Sequence, residues 1–221
     1  MMQVGIIGAG HIGGNVAHRL ALAGHDVIVS FARDQAKLAA LANEIGSRAG
    51  DPADAARAEI VVLSVPWGVI DQALDAAGSL DGRVVVDTTN QFSRGGPVDL
   101  GGRTAARFNA DRMPGARYTK CFNTLTAGFQ AAVAGRSGDE RVTQWIAADD
   151  QDAGRIVSGL VNDAGYAPVL LAGIDTCAVM EAPRRPGAVY GEEYRIPDAA
   201  AVVKAVRAGR RIPPAPTYPS V

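Results

Sequence analysis

Three glycines near the amino end of the chain have the spacing of a phosphate-binding turn. Gly8, Gly10 and Gly13 follow a short β-branched run, Gln3 to Ile7, and precede an apolar-periodic segment, Ile12 to Ala23. In such a turn the first glycine permits a tight bend, the second lets the backbone approach a pyrophosphate, and the third lets helix and strand pack closely. Backbone N–H groups at the helix start then face the phosphates. We therefore predict dinucleotide binding by Gly8, Ala9, Gly10, His11, Ile12 and Gly13; the alternative is an incidental glycine-rich turn.

The second predicted strand, Asp26 to Phe31, does not end in the acidic residue that binds the ribose 2′-hydroxyl of NAD. Phe31 stands there, Arg33 follows two residues later, and Lys37 lies one helical turn further on. Since a carboxylate would repel a 2′-phosphate and an arginine can pair with one, this segment favours NADP over NAD. We expect Ser30 to donate its hydroxyl and Phe31 to pack beside the adenine. The alternative for Arg33 is an ordinary surface arginine.

Three later turns are candidates for the nicotinamide side, because ligands of a doubly wound sheet lie beyond the carboxyl ends of its strands. The candidate residues are Ser64, Val65 and Pro66 in the first turn, Thr89 and Asn90 in the second, and Asn123 and Thr124 in the third. The amides of Asn90 and Asn123 can bind a carboxamide or a carbonyl, or they can satisfy their own turns. Trp67 either covers the cleft or belongs to the core.

The common acid–base groups of dehydrogenases are missing from the sequence. No tyrosine has a lysine four residues later, and the cysteines and histidines show no metal spacing. No Lys, His or Asp stands out in the sequence as a buried proton donor. A hydride acceptor that needs little proton assistance would fit this composition.

The composition indicates a globular chain with a balanced charge. Of 221 residues 48% are hydrophobic, and 22 Lys and Arg face 23 Asp and Glu, so we expect neither a nucleic acid nor a membrane surface as partner. Two distant cysteines indicate a reduced, cytoplasmic protein. No apolar run approaches the roughly 18 residues of a membrane helix. The first apolar run is expected to be a strand and not a signal peptide.

Seven apolar runs, at 3–7, 26–31, 59–65, 83–87, 117–122, 144–148 and 167–171, are predicted strands, and helical segments separate them. Asp34 and Asp51-Pro52 are expected to begin two of the helices. This alternation predicts an α/β fold, a Rossmann-type doubly wound, mostly parallel sheet. We divide the chain into an NAD(P)-binding domain, 1–173, and a C-terminal extension, 174–221. Its proline-rich tail is expected to be extended, and either disordered or wrapped around a partner subunit.

An ordered series of segments, VGIIGAGHIGG, IVVLSVPW, VVVDTTN, CFNTL and NDAGYAPVLLAG, resembles the coenzyme F420-dependent NADP reductases. It is also similar to the reductase domain of the membrane metalloreductases called STEAP. The resemblance covers residues 3–173. It implies NADPH binding and hydride transfer to a flat acceptor, coenzyme F420 or a flavin, with catalysis mainly by proximity. On this resemblance the glycines match the phosphate turn, Ser30 to Arg33 the 2′-phosphate segment, and Val65 and Pro66 the nicotinamide side.

The chain departs from that family in three places. It has Phe31-Ala32-Arg33 where the family has Ser-Arg or Arg-Arg, and Asn123 where archaeal members have His. The segment MEAPRRPGAVYGEEYRIPDAAAVVKAVRAGRRIPPAP replaces an apolar helix that helps to form a dimer in the family. The acceptor and a homodimer therefore stay open. Two alternative functions are a non-catalytic NADPH sensor and a reductase of small imines or carbonyls, although only 50 residues follow Leu171 to build a substrate domain.

Overall fold

In the computed structural model, which describes residues 1–31 and 33–218, strands and helices alternate along the chain. The strands are β1 Gln3–Ile7, β2 Asp26–Ser30, β3 Arg48–Ala49, β4 Ile60–Leu63, β5 Val84–Asp87, β6 Phe92–Ser93, β7 Gly96–Pro97, β8 Arg117–Lys120, β9 Thr143–Ala148 and β10 Ala167–Ala172. The helices are α1 His11–Leu22, α2 Gln35–Glu44, α3 Pro52–Ala56, α4 Ile70–Ala77, α5 Ala105–Ala110, α6 Ala127–Val133, α7 Gln151–Asp163 and α8 Ile196–Arg207.

One sheet with the order β10-β9-β8-β5-β4-β1-β2-β3 organises the described residues. Its part β3-β2-β1-β4-β5-β8 is all parallel and has the 3-2-1-4-5-6 order of a dinucleotide-binding α/β fold. The predicted Rossmann-type sheet is therefore confirmed. The strand order reverses at β1, so the turn that follows β1 lies where this fold binds its ligands.

One strand pairing in this mostly parallel sheet is antiparallel, and the sequence did not indicate which one it would be. Strand β9 runs antiparallel to β8, with Lys120 opposite Ala147. Helix α6 connects the two strands, and the chain does not return to the amino ends of the parallel strands before β9 begins. Strand β9 therefore begins beyond the carboxyl end of β8, and β10 then pairs parallel to β9.

Two elements lie in segments for which the sequence indicated no regular structure. Strands β6 and β7 form a small hairpin within the glycine-rich segment after β5. Helix α8 lies in the C-terminal extension and buries Ala199, Val202 and Ala205 against the same core as Trp145 of β9. The glycines and arginines around these segments obscure the short apolar patterns that form them.

The proline-rich tail follows α8 without helix or strand up to Tyr218, and Pro219 lies outside the described residues. Ile212 is buried in the core. The hydroxyl of Tyr218 accepts a bond from the backbone N–H of Arg195 at 3.0 Å and donates to Asp198 at 2.6 Å. The described part of the tail thus packs along its own chain.

The two faces of the sheet carry two apolar layers. Helices α1, α2, α6 and α7 cover one face, through residues such as Val16, Leu38 and Val157. Helices α3, α4, α5 and α8 cover the other, through residues such as Ile70 and Val202. The central strands are buried on both faces, which explains their continuous Val and Ile runs. No helix among the described residues is long and apolar enough to cross a bilayer.

Side-chain caps begin several helices, as the sequence predicted for two of them. Asp34 accepts bonds from the backbone N–H groups of Ala36 and Lys37, and Asp51 and Asp54 form a capping box around Pro52. Both predicted caps are confirmed. Such caps can be predicted from the sequence alone, because aspartate has a strong local preference for the N-cap position.

Helix α7 gives a prediction about stability and its pH dependence. Asp150 caps α7 and accepts a 2.7 Å bond from Arg117 of β8, and this hydrogen bond, with the N–H of Ala153, lowers the pKa of the carboxyl. Asp150→Ala should lower the free energy of unfolding at pH 7 by about 1–2 kcal/mol, the usual value of a cap. Because the folded-state pKa is lowered, this contribution is present above about pH 4 and is lost as pH falls through the folded value.

Urea unfolding of the wild type and of Asp150→Ala at pH 7 and at acid pH checks this expectation. Asp139→Ala, at an exposed aspartate, is the matched control and should change stability by less than about 0.5 kcal/mol. A difference between Asp150→Ala and the wild type that stayed constant with pH would contradict the role of the charged cap.

Candidate active site

The glycine turn lies between the carboxyl end of β1 and the start of α1. Gly8 has a φ of 108°, and a Cβ built on it would lie 2.3 Å from the carbonyl oxygen of Ser64. A Cβ on Gly13 would lie 2.0 Å from the carbonyl oxygen of Gly8. These two positions thus require glycine for the bend and for the close approach of α1 to the strand.

Gly10 differs from the other two glycines of the turn, because a Cβ built on it would meet nothing within 4 Å. Its φ of −79° is accessible to any residue. Gly10 is the N-cap of α1 but offers no side chain to the free N–H groups of the first turn. Open space therefore adjoins a helix N-terminus, an arrangement that suits a pyrophosphate. His11 is exposed beside this space, whereas Ala9 and Ile12 are half-buried.

Of the residues predicted at the ribose end, Ser30 is buried within the sheet, whereas Arg33 and Lys37 are exposed. The hydroxyl of Ser30 donates to the carbonyl oxygen of Ile6 at 2.9 Å, and the residue is fully buried. The predicted contact of this hydroxyl with a 2′-phosphate is therefore wrong, because the side chain points into the sheet. Arg33 is exposed and forms no ion pair within the described residues. Lys37 is also exposed and lies 3.9 Å from the carboxylate of Asp34; Ala32 is outside the described residues.

Phe31 has a left-handed backbone conformation with a φ of 55°. For a bulky residue this conformation costs about 1–2 kcal/mol, and such strain concentrates at functional sites. The side chain is half-buried and packs against the apolar layer that α3, α4, α5 and α8 cover. Phe31 thus turns the chain sharply out of β2 just before Arg33.

The turn after β4 contacts the glycine turn directly. Val65 is buried against Gly8, and the hydroxyl of Ser64 accepts a 3.0 Å bond from Thr88. Pro66 is exposed at the edge of the sheet. Trp67 begins a short 3-10 helix and packs against Phe108 with 5.7 Å between ring centroids, so it belongs to the core and does not roof the cleft.

The turns after β5 and β8 are joined by two asparagine amides. The Nδ2 atom of Asn90 donates to the carbonyl oxygen of Asn123 at 2.8 Å, and the Nδ2 atom of Asn123 donates to Oδ1 of Asn90 at 3.1 Å. The Oδ1 atom of Asn123 and the hydroxyl of Thr124 are buried without a partner in the described residues. A buried polar atom left unpaired costs about 1–3 kcal/mol, which favours a site that a further polar group completes.

The C-terminal extension forms hydrogen bonds with the same two turns. The sequence did not indicate this contact. Asn123 donates to the carbonyl oxygen of Met180 at 2.7 Å, and Gln91 donates to that of Ala182 at 2.8 Å. The backbone N–H of Gly191 donates to the carbonyl oxygen of Thr124 at 2.7 Å. Residues 180–191 therefore form one wall of the candidate site.

A buried ion pair that sequence reasoning missed lies beneath these turns. Lys120 and Asp87 have fully buried side chains, 3.3 Å apart, and Lys120 also donates to the carbonyl oxygen of Thr89 at 2.8 Å. Asp87 accepts further bonds from Asn109 at 2.8 Å and from the Tyr118 hydroxyl at 2.5 Å. No Lys or Asp had stood out in the sequence as a buried group, so this pair was not anticipated.

This buried pair positions the turns and is closed to solvent. Burial, and next the charge of Asp87, raise the pKa of Tyr118 well above its usual value, so its hydroxyl stays protonated and donates. Asp87 also accepts the backbone N–H of Thr89 at 2.7 Å, which fixes the segment leading to Asn90. The sequence offered only a weak signal: Tyr118 and Lys120 occupy alternate positions of one strand and so share a face, but this spacing does not show that Lys120 is buried.

The side chains of Cys121, Cys177 and His25 form no hydrogen bond with the candidate turns within the described residues. Cys121 and Cys177 are free and buried, and burial raises the pKa of both thiols. His25 is buried and lies 3.1 Å from Asp163, as a structural residue does. No metal-binding cluster occurs in the described parts of the chain.

Comparison with known proteins agrees with this geometry. Residues 3–91 match the family model for coenzyme F420-dependent NADP oxidoreductases. The chain is 30% identical to a hypothetical protein of Sinorhizobium meliloti, with a TM-score of 0.78, over 88% of this chain and 96% of that one. It is 26% identical to a candidate F420-dependent NADP reductase of Arthrobacter sp. FB24, with a TM-score of 0.68, over 80% and 88% of the two chains.

An imine reductase of Myxococcus stipitatus in complex with NADP+ shares the fold. It is 20% identical, with a TM-score of 0.61, over 80% of this chain and 57% of that chain. The matched segment of this chain includes the glycine turn, the turn after β4 and Asn90. Over residues 3–91 the chain is therefore similar to the coenzyme F420-dependent NADP oxidoreductases, and it is an NADP-dependent oxidoreductase with a Rossmann-type fold.

Proposed function

We propose that the protein transfers a hydride between NADP(H) and a flat, flavin-like acceptor, a deazaflavin of the F420 type or a flavin. One observation carries this proposal: the open Gly10 turn, the turn after β4 and the Asn90–Asn123 pair all lie at the same edge of the sheet. NADPH supplies the hydride, and the acceptor takes up this hydride and a proton from solvent. The chain contributes binding and orientation.

The nucleotide half of the site is assigned as follows. The free N–H groups at the start of α1 bind the pyrophosphate across the open space at Gly10. Arg33, exposed after the strained Phe31, pairs with the 2′-phosphate, and Lys37 adds charge nearby. Val65 and Pro66 lie against the nicotinamide.

The acceptor half lies between Asn90, Asn123 and the wall formed by residues 180–191. The unpaired Oδ1 of Asn123 and hydroxyl of Thr124 suit polar edges of a ring system. Because the Asn90 and Asn123 amides hold each other, their main role is to fix the two turns at the distance that the acceptor needs. The buried layer beneath, which contains Asp87 and Lys120, fixes the Thr89 segment that leads to Asn90.

An acceptor screen tests the proposed function. The purified protein is mixed with NADPH or NADH and with FMN, riboflavin, a deazaflavin or a cyclic imine, and NADPH oxidation is followed at its absorbance maximum. We expect oxidation with a flavin or the deazaflavin and a preference for NADPH. Tight NADPH binding without turnover of any acceptor would instead favour a nucleotide sensor, and turnover of the imine alone would replace the flavin-like acceptor.

The choice of nucleotide gives a second prediction. Arg33→Ala should weaken NADPH binding by about 1–3 kcal/mol, the range of a charge-assisted contact, and should leave NADH binding nearly unchanged. Isothermal titration of both nucleotides measures the difference. Arg155→Ala, which removes another exposed arginine on α7, should change neither affinity. Equal losses for NADPH and NADH would refute the 2′-phosphate role.

A further inference from the structure

An exposed aromatic side chain lies on the acceptor side of the site. The exposed large apolar residues of the described chain are Met1, Leu22, Phe92 and Ile196. Of these, only Phe92 follows a turn at the carboxyl edge of the sheet, where its backbone N–H donates to the carbonyl oxygen of Asn90 at 2.8 Å. It is 42% exposed, and it belongs to neither apolar layer of the core. Packing within the fold therefore does not account for Phe92.

The hairpin of β6 and β7 presents this ring beside the turn after β4. Strand β6 lies against the short 3-10 helix Trp67–Val69, next to Pro66. At its base, Gln91 anchors the hairpin through a 2.8 Å bond to the carbonyl oxygen of Ala182. The hairpin is thus held between the nicotinamide-side turn and the C-terminal extension.

Tyr190 of the extension meets Phe92 across this space. The ring centroids are 6.5 Å apart and the planes are inclined at 50°, so the rings are tilted and do not stack face to face. Tyr190 is half-buried, and the next residue, Gly191, bonds to Thr124. Burial raises the pKa of Tyr190, so its ring stays neutral at physiological pH. The pair therefore offers apolar ring surface between the turn that contains Asn90 and the turn that contains Thr124.

We propose that Phe92 and Tyr190 form an aromatic platform that selects a planar, fused-ring acceptor by stacking. This inference rests on the proposed function and names the residues that determine its acceptor. Aromatic rings gain from offset or edge contacts beyond the area they bury, and a fused ring system offers a large face for such contacts. A small aliphatic imine or ketone offers no such face and gains little from the platform.

The test compares Phe92→Ala and Tyr190→Ala with Tyr190→Phe, which keeps the ring, and with Leu22→Ala, which removes another exposed apolar side chain, on α1. Binding of FMN and of a deazaflavin is measured by fluorescence quenching in the presence of NADP+, and NADPH affinity is measured separately by titration. We expect the two alanine variants to weaken acceptor binding roughly tenfold each, since tenfold corresponds to about 1.4 kcal/mol. Tyr190→Phe, Leu22→Ala and all NADPH affinities should stay close to the wild type.

The outcomes separate this inference from the proposed function. If the wild type binds and reduces FMN or the deazaflavin but the alanine variants do so equally well, the platform is refuted and the proposed function stands. If the wild type neither binds nor reduces any planar acceptor, the proposed function falls and the platform falls with it. A parallel loss of NADPH affinity in the alanine variants would refute a role specific to the acceptor.

Discussion

Replacing Gly10 by valine should abolish NADPH binding while leaving the fold intact. The expected loss is about 3 kcal/mol or more, roughly a hundredfold in Kd or greater, because several hydrogen bonds to a charged phosphate are blocked together. The physical reason is local. The φ of Gly10 suits a valine and its surroundings leave room for one, so the added side chain occupies the space that the pyrophosphate needs. Calorimetric titration with NADPH and a urea unfolding curve measure the two halves of this expectation.

Two neighbouring glycines provide the controls. A Cβ on Gly14 would lie 3.7 Å from Leu41, an ordinary contact, so Gly14→Ala should change neither stability nor affinity much. Gly13→Ala should instead damage the turn itself, because its Cβ would lie 2.0 Å from the carbonyl oxygen of Gly8. NADPH binding that survived Gly10→Val unchanged would overturn the pyrophosphate assignment.

The glycine turn was predictable because its constraints are local. Gly8 permits the bend, Gly10 leaves room for the pyrophosphate, and Gly13 lets α1 pack closely on the strand. The spacing of these three glycines is visible within six residues of sequence. The helix caps at Asp34 and Asp51 were predictable for the same reason. The Rossmann-type, mostly parallel sheet was predictable from the alternation of strands and helices.

Long-range pairing set the limit of the sequence prediction. The Ser30 hydroxyl was expected at the 2′-phosphate, but the side-chain period of two turns it toward Ile6 on the neighbouring strand. The antiparallel pairing of β9 depends on the edge of the sheet from which the chain enters that strand, and no residue pattern indicates this edge. The wall formed by residues 180–191 depends on hydrogen bonds between the extension and turns almost a hundred residues earlier, such as that between Gln91 and Ala182.

The buried ion pair shows the same limit at the level of one strand pair. Asp87 and Lys120 end two strands, a position where charged residues usually reach solvent. They become partners only because β5 and β8 are neighbours and their register places Asp87 opposite Lys120. Helix α5 then covers the pair and supplies Asn109 as a further donor. Neither strand alone indicates that its charge is buried.

Lys120→Met should be the most destabilising single change outside the core of apolar side chains. It keeps the volume of the side chain but leaves the Asp87 carboxylate buried without its cation, and breaking such a pair costs about 3–5 kcal/mol. Urea unfolding followed by circular dichroism measures the loss. Lys204→Met, at an exposed lysine of α8, is the matched control and should stay within about 0.5 kcal/mol of the wild type.

The double variant Asp87→Asn with Lys120→Met keeps this prediction testable even if the single variant does not fold. Because the double variant has no unpaired charge, it should be more stable than Lys120→Met. We expect a difference of about 0.5–3 kcal/mol, the usual size of the coupling between residues in contact. Asn109 and Tyr118 remain as donors to the side-chain oxygen of the new asparagine. Nearly full recovery of stability would mean that the ion pair adds little net stability compared with a neutral pair. Both variants also lose the bond from Lys120 to the carbonyl oxygen of Thr89, which holds the turn before Asn90. In that case we expect this loss to appear as weaker acceptor binding.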